Sequence, residues 1–145
     1  RSKVFTGKII SSINDLIGCG SCYENYDVLV SEALNIKAEW RCFIMYDKIV
    51  DVRPYGNLID SERKSYLYHY DSKVLQDMLN EFKNIENRPA ACSMDICVTA
   101  EGKTLLMEFN DAYSLGCYGL DSILYAKLIS ARWSQLLERP DEYKF

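Results

Sequence analysis

The sequence predicts an α+β fold: a mostly antiparallel sheet with helices packed on one face. Three observations predict it. Two stretches, EWRCFIMYDKIVD at 39–51 and CSMDICVTAEGKTLLMEFND at 92–111, each read as a pair of apolar strands folded about a short polar turn. Between them, and again after the second, apolar residues recur at helical spacing, over Ser72 to Ile85 and from about Leu120 to Leu137. The length of 145 residues suits one domain, and an apolar content of 48% is ample for a core.

Taken in order, Lys3 to Ser11 reads as a strand, with no turn or cap before it. Ser12 to Leu16 forms a short helical turn with Ser12 as its cap, broken by Gly18-Cys19-Gly20-Ser21. Val28 to Ile36 is a second strand, and Glu39 to Asp51 a third and fourth joined at Tyr46-Asp47-Lys48. Pro54 and Gly56 mark a turn-rich exit. Ser61 to Asp71 is polar and tyrosine-rich, a loop or short strand with Tyr66, Tyr68 and Tyr70 on one face. In the helix from Ser72, the stripe is Val74, Leu75, Met78, Leu79, Phe82 and Ile85, and Asn87-Arg88-Pro89 ends it. The loop from Ala112 to Gly119 leads to the last helix, whose apolar side is Leu120, Ile123, Leu124, Leu128, Ala131 and Leu136. Pro140 closes it.

Composition excludes several function classes. The net charge is −4 and the basic residues are scattered among acids, so no stripe for a nucleic-acid backbone forms. No apolar run reaches membrane-span length and RSKVFTGKII lacks a secretory h-region, so a cytoplasmic protein without membrane contact is expected. Of six cysteines, Cys42, Cys92 and Cys97 lie in apolar strand-like runs and read as buried, reduced thiols. Cys19-Gly20-Ser21-Cys22 has the spacing of a zinc or redox half-site, but there is no second pair and a single histidine, His69, short of the four ligands structural zinc takes.

The stretch that carries chemistry is 92–111. With Glu101-Gly102 as a two-residue tip, Ala100 pairs with Lys103, and Asp95 falls directly opposite Glu108 with Asn110 on the same face. Met94, Ile96, Val98, Leu105, Met107 and Phe109 fall on the other. A three-residue loop with a bulge would shift the pairing by one, while the clean sorting of the faces favours the shorter tip. Opposed acids repel across a ladder, and a divalent cation makes such a pairing favourable; the alternative is an ordinary hairpin with one wet face. In Trp40-Arg41-Cys42-Phe43-Ile44 a single cation stands among apolar neighbours and calls for an anion, either a ligand phosphate or carboxylate or the side chain of Glu39. Arg53, in DVRPYGN, is a second candidate.

MDICVTAEGKTLLMEFND, followed by a glycine-containing loop and a helix, resembles the second half of the ATP-grasp fold, in which an Asp, a Glu and an Asn at this spacing hold Mg-ATP. VLVSEALNI is similar to that family's hinge beside the adenine, and EWRCFIMYDKIVDV resembles the D/E-x-R-x-F-hydrophobic segment of its RimK-like clade. The resemblance implies a C-terminal ATP-grasp subdomain spanning 1–145, with ATP and Mg2+ as cofactors and Asp95, Glu108 and Asn110 as magnesium ligands. It implies that Val30, Ser31, Glu32, Ala33 and Leu34 border adenine and ribose and that Arg41 meets phosphates. The reaction it implies is ATP-dependent joining of a small-molecule or peptide carboxylate to an amine through an acyl-phosphate.

Two departures bear on that reading. Ser93 stands where many ATP-grasp ligases place an arginine two residues before the metal-binding Asp, so Arg41 or Arg53 would take that catalytic role. The first subdomain, with its phosphate-gripping lysine, is not recognisable, and Lys3 and Lys8 lie in no such motif. A fragment of a longer enzyme or a reduced family member is expected, with an upstream domain or a homo-oligomer partner completing the cleft. Two other classes remain open: a non-catalytic nucleotide-binding or regulatory module, and an interaction protein that uses the tyrosines of 66–70. A substrate would sit at the loop Tyr113 to Gly119.

Overall fold

The structure, a computed structural model, describes residues 7–19, 27–55 and 67–144. They fall into two compact units, Arg1–Leu34 and Asn35–Phe145. No helix among the described residues is long and apolar enough to cross a membrane.

In the first unit the expected helical turn forms as a 3-10 turn, Ile13–Leu16. Asp15 fixes its start by accepting the Ser12 N–H at 2.7 Å. Among the described residues neither expected strand forms there. Gly7 to Ile10 is irregular, with Lys3 to Thr6 outside the described residues, and of Val28 to Ile36 only Ile36 enters a strand. A strand persists only in a ladder, and residues 28–35 have no ladder partner among the described residues; Leu29 and Val30 are 99% and 83% exposed.

The second unit is one antiparallel sheet with two helices. Its strands are β1 Ile36–Met45, β2 Lys48–Tyr55, β3 Ala91–Thr99 and β4 Thr104–Asp111, in the spatial order β2-β1-β3-β4. Tyr46 and Asp47 join β1 to β2 with φ of 48° and 65°, the paired left-handed conformation that matches the twist of a tight hairpin. Asp47 tolerates this and is held by both ends of the Arg88 guanidinium at 2.7 and 2.6 Å. Helix α1, Ser72–Lys83, starts where the Asp71 carboxylate accepts the N–H groups of Lys73 and Val74. Helix α2, Ser122–Leu136, starts in the same way on Asp121.

The helices lie on opposite faces of the sheet, which corrects the expectation of a shared face. Alternation along β1 sends Cys42 and Ile44 to one side, where they pack with Met94 and Ile96 under Leu75, Leu79 and Phe82 of α1. It sends Phe43 to the other, where it packs with Leu128 and Ala131 of α2 and with Leu115 and Leu120 of the loop before it. The central strand β3 is therefore buried along its whole length. Ile123 and Leu136, expected on the apolar side of α2, are 66% and 44% exposed. That helix carries apolar residues around much of its circumference, so spacing alone does not single out its buried side.

The β3–β4 hairpin reaches the expected alignment by an unexpected route. Its tip is a three-residue loop in which the Gly102 N–H bonds the Thr99 carbonyl at 2.9 Å and the Thr99 N–H bonds the Lys103 carbonyl at 3.0 Å. Gly102 has φ of 77°, the left-handed residue this loop needs, so Ala100 and Lys103 are not paired as a two-residue tip would have it. Val98 faces Thr104 and Ile96 faces Leu106, one residue off the expected register. A bulge at Met107 then restores it: Asp95 faces Glu108, Met94 faces Phe109 and Ser93 faces Asn110. Leu105, expected with the apolar set, consequently lies opposite Cys97 on the side of Asp95, and Leu106 takes its place.

Candidate functional site

The register of the four strands draws one row of charged residues across the sheet. Arg53 of β2 faces Arg41 of β1, Arg41 faces Asp95 of β3, and Asp95 faces Glu108 of β4. Directly opposed residues share a face, so all four side chains project to the α2 side. Positive charges occupy one end of the row and negative charges the other.

At its centre Arg41 and Asp95 form a buried, bidentate ion pair. Arg41 Nε donates to Asp95 Oδ1 at 2.8 Å and Nη2 to Oδ2 at 2.6 Å, and both side chains are 4% exposed. The anion that the lone arginine requires is thus Asp95 of the neighbouring strand and not Glu39. The Tyr118 ring covers the guanidinium, 4.3 Å from its carbon to the ring centroid. Asn110 Nδ2 donates to Asp95 Oδ2 at 3.1 Å and to Glu108 Oε1 at 3.0 Å, so one amide joins the two acids. Arg53 is held apart by its own carboxylate, Asp51, at 2.7 Å from both its Nε and Nη2.

Around this cluster is a cavity of about 400 Å³, in the range of small-molecule sites, walled by Arg41, Glu108, Asn110, Tyr113, Gly116 and Tyr118 among others. The loop after β4 is firmly seated. Asp111 accepts from Arg132 of α2 at 2.7 and 2.6 Å, Tyr125 Oη donates to the Leu115 carbonyl at 2.7 Å, and Trp133 Nε1 to the Tyr113 carbonyl at 3.2 Å. The Arg132 hydrogen bonds hold the Asp111 carboxyl below its ordinary range. Beneath the site, burial first and the Asp95 carboxylate second push the Cys42 thiol up to about 12.

The donor chemistry fits magnesium. Among the described residues no three His, Cys, Asp or Glu side chains cluster as a metal site, and the side chain bonded to both Asp95 and Glu108 is the Asn110 amide. That amide now places its nitrogen near both acids, and its other end is an oxygen. Two carboxylates and one amide oxygen, with phosphate and water completing the shell, are the hard ligands that Mg2+ takes.

The expected residues are placed unevenly. Arg41, Asp95, Glu108 and Asn110 come together, and the loop Tyr113 to Gly119 borders them as expected. Arg53 shares the face but is turned to Asp51. Val30, Ser31, Glu32, Ala33 and Leu34 belong to the first unit, where their side chains are exposed and form no strand. His69 is exposed, and Lys8 donates to the Ile17 carbonyl at 3.4 Å. Lys3 and Cys22 lie outside the described residues. Ser93 is fully buried, and its hydroxyl lacks a hydrogen-bond partner among the described residues. Sequence reasoning missed Tyr118 on Arg41. It also missed the Arg41–Asp95 pair, whose signal was present: a lone arginine and a lone aspartate in two apolar strand-like runs.

The fold and this cluster define an ATP-grasp domain. The chain belongs to a family of ATP-grasp domains, family 2 of its clade, whose model matches residues 1–128. The superfamily is the one the sequence resembles. A comparison with curated proteins gives no match. Two solved structures of Cdc123 from Schizosaccharomyces pombe are similar, one of them C-terminally truncated. Each shares 16% identity and a TM-score of 0.40 with this chain, over 79% of it and 40% or 41% of theirs. The chain thus spans about two fifths of the length of those structures.

Proposed function

We propose that this chain supplies the Mg-ATP-holding half of an ATP-grasp active site, in an enzyme that joins a carboxylate to an amine. The observation that carries the reading is the convergence of Asp95, Glu108 and the Asn110 amide, with the amide nitrogen 3.1 and 3.0 Å from the two acids. Asp95, Glu108 and Asn110 would hold the metal, which when bound offsets charge on the phosphates during transfer. In the reaction, a substrate carboxylate oxygen bonds to the terminal phosphorus of ATP as the bond to ADP breaks. An amine nitrogen then bonds to the acyl carbon, phosphate leaves with its electron pair, and the amine gives up a proton. The chain's own part is positioning: the acids and amide would orient the phosphates through the metal they hold, and the loop from Tyr113 to Tyr118 lines the cavity beside them. A second subdomain, of this protein or from another chain, would close the cleft.

A second reading, a nucleotide-binding module without ligase activity, is favoured by one observation. Arg41 and Arg53 are both engaged by aspartates of their own chain, so neither is presented to an acyl-phosphate.

Thermal unfolding with and without Mg-ATP tests binding. At a hundredfold excess over Kd, ligand stabilises by about 2.7 kcal/mol. Glu108→Gln, on an exposed side chain, should abolish the rise while leaving the ligand-free melting temperature close to wild type. An unchanged rise in that variant, or none in the wild type, counts against the site. Release of ADP from ATP by the chain separates the two readings.

A further inference from the structure

We infer that Arg41 is a built-in counter-ion that makes the metal site conditional: Asp95 becomes available to a divalent cation only when an anionic co-ligand of the phosphate class draws Arg41 away. The inference rests on the metal and nucleotide reading above and adds the order in which the two ligands can enter.

The geometry leaves Asp95 little capacity. Its Oδ1 accepts from Arg41 Nε at 2.8 Å, and its Oδ2 accepts from both Arg41 Nη2 at 2.6 Å and Asn110 Nδ2 at 3.1 Å. A cation at Asp95 Oδ2 would meet a guanidinium nitrogen bonded to that same oxygen, in a place where both side chains are 4% exposed and water screens little. Free metal therefore faces a resident positive charge. Glu108, exposed and joined to the cluster among the described residues through the Asn110 amide, is by itself too few ligands for a hard divalent ion.

The same row of residues indicates what would release Asp95. Arg41 lines the cavity, with the Tyr118 ring over its face, and it lies in register with Arg53. An anion in the cavity would meet Arg41, and a phosphate offers the bidentate oxygen edge that a guanidinium otherwise finds on Asp95. A phosphate group and a divalent cation entering together match the charges of Arg41 and Asp95, and a phosphate entering alone leaves the buried Asp95 carboxylate without its cation. The two ligands are thus coupled through one side chain, and the coupling is reciprocal.

Two measurements on the full chain test this. Binding of Mn2+ alone, read from the electron-spin-resonance signal of the free ion, should be undetectable at millimolar metal in the wild type. In Arg41→Gln it should appear at least tenfold tighter, and it should be lost again in Arg41→Gln with Glu108→Gln. Independently of any variant's ability to fold, the Arg41 Nε–H resonance of the wild type should stay in place with Mg2+ alone. It should shift when a non-hydrolysable ATP analogue is added with Mg2+. Equal Mn2+ binding by wild type and Arg41→Gln overturns the inference while the nucleotide reading stands, as does a shift of the arginine resonance with Mg2+ alone. An analogue that raises the melting temperature without moving Arg41 also overturns it alone. Failure of metal and analogue to bind in any combination overturns both.

Discussion

Exchanging Arg41 for methionine keeps a long, flexible side chain in β1 and leaves the Asp95 carboxylate buried without its cation. Both partners are 4% exposed, so solvent cannot take over the lost contact. Breaking a buried pair from one side costs about 3–5 kcal/mol, because the remaining charge stays uncompensated. For a domain of this size that is a fall in melting temperature of roughly 10–20 °C. Removing both charges, with Arg41→Met and Asp95→Leu together, should recover most of the loss, since an apolar pair of similar volume replaces the ions. The assay is urea unfolding followed by the fluorescence of Trp40, packed against the core under α1, and of Trp133 in α2, for wild type, both single variants and the double variant. The expected coupling energy is above about 2 kcal/mol. A single variant within about 1 kcal/mol of wild type, or a double variant whose loss equals the sum of the singles, would refute the claim that this pair is tightly joined inside the sheet.

Other perturbations reach different parts of the structure. Gly102 has φ of 77° in open space, so Gly102→Ala should cost about 1 kcal/mol through backbone strain alone, while a gain in stability would contradict the three-residue tip. Arg132 holds the Asp111 carboxyl below its ordinary value of 3.8, so the unfolded chain takes up that proton first as pH falls. The pair's contribution is then present above about pH 4 and lost as pH drops through the folded value. Asp111→Asn should cost about 1 kcal/mol at pH 7 and flatten the acid limb of a stability–pH curve; an unaltered limb would exclude the pair as its source. Burial pushes the Cys42 and Cys92 thiols up to about 12, whereas Cys117 is exposed. Alkylation at pH 8 read by peptide mass spectrometry should therefore mark Cys117 in the native chain and reach Cys42 and Cys92 only on unfolding.

What the sequence discloses follows from how local each determinant is. The Tyr46-Asp47 turn and the helix start at Ser72 were readable because each is decided by a few adjacent residues, whereas the last helix starts at Ser122 and not at Leu120. The partner of Arg41 was not, because choosing Asp95 over Glu39 requires knowing that β1 lies beside β3, and sheet order is a property of the whole chain. Val28 to Ile36 was misread for a related reason: apolar, β-prone residues describe a willingness to pair and say nothing of whether a partner exists. The opposition of Asp95 and Glu108 was foreseen from a two-residue tip, although the observed tip is a residue longer and Met107 absorbs the difference. The face sorting beyond that bulge, Leu105 against Leu106, was where the shift became visible.

The bulge at Met107 divides the hairpin into two lengths that can drift separately. From Ser93 to Asp95 the pairing serves the acids; from Ile96 onward it serves only the turn. Without the extra residue, the count set by Gly102 would bring Met107 opposite Asp95 and turn Glu108 to the face covered by α1. A related chain whose tip is one residue shorter should therefore lack the bulge, and one that retains this tip should retain it. Length changes in this hairpin are expected as compensated pairs on either side of Leu106, which gives a pattern to look for when chains of this fold are compared.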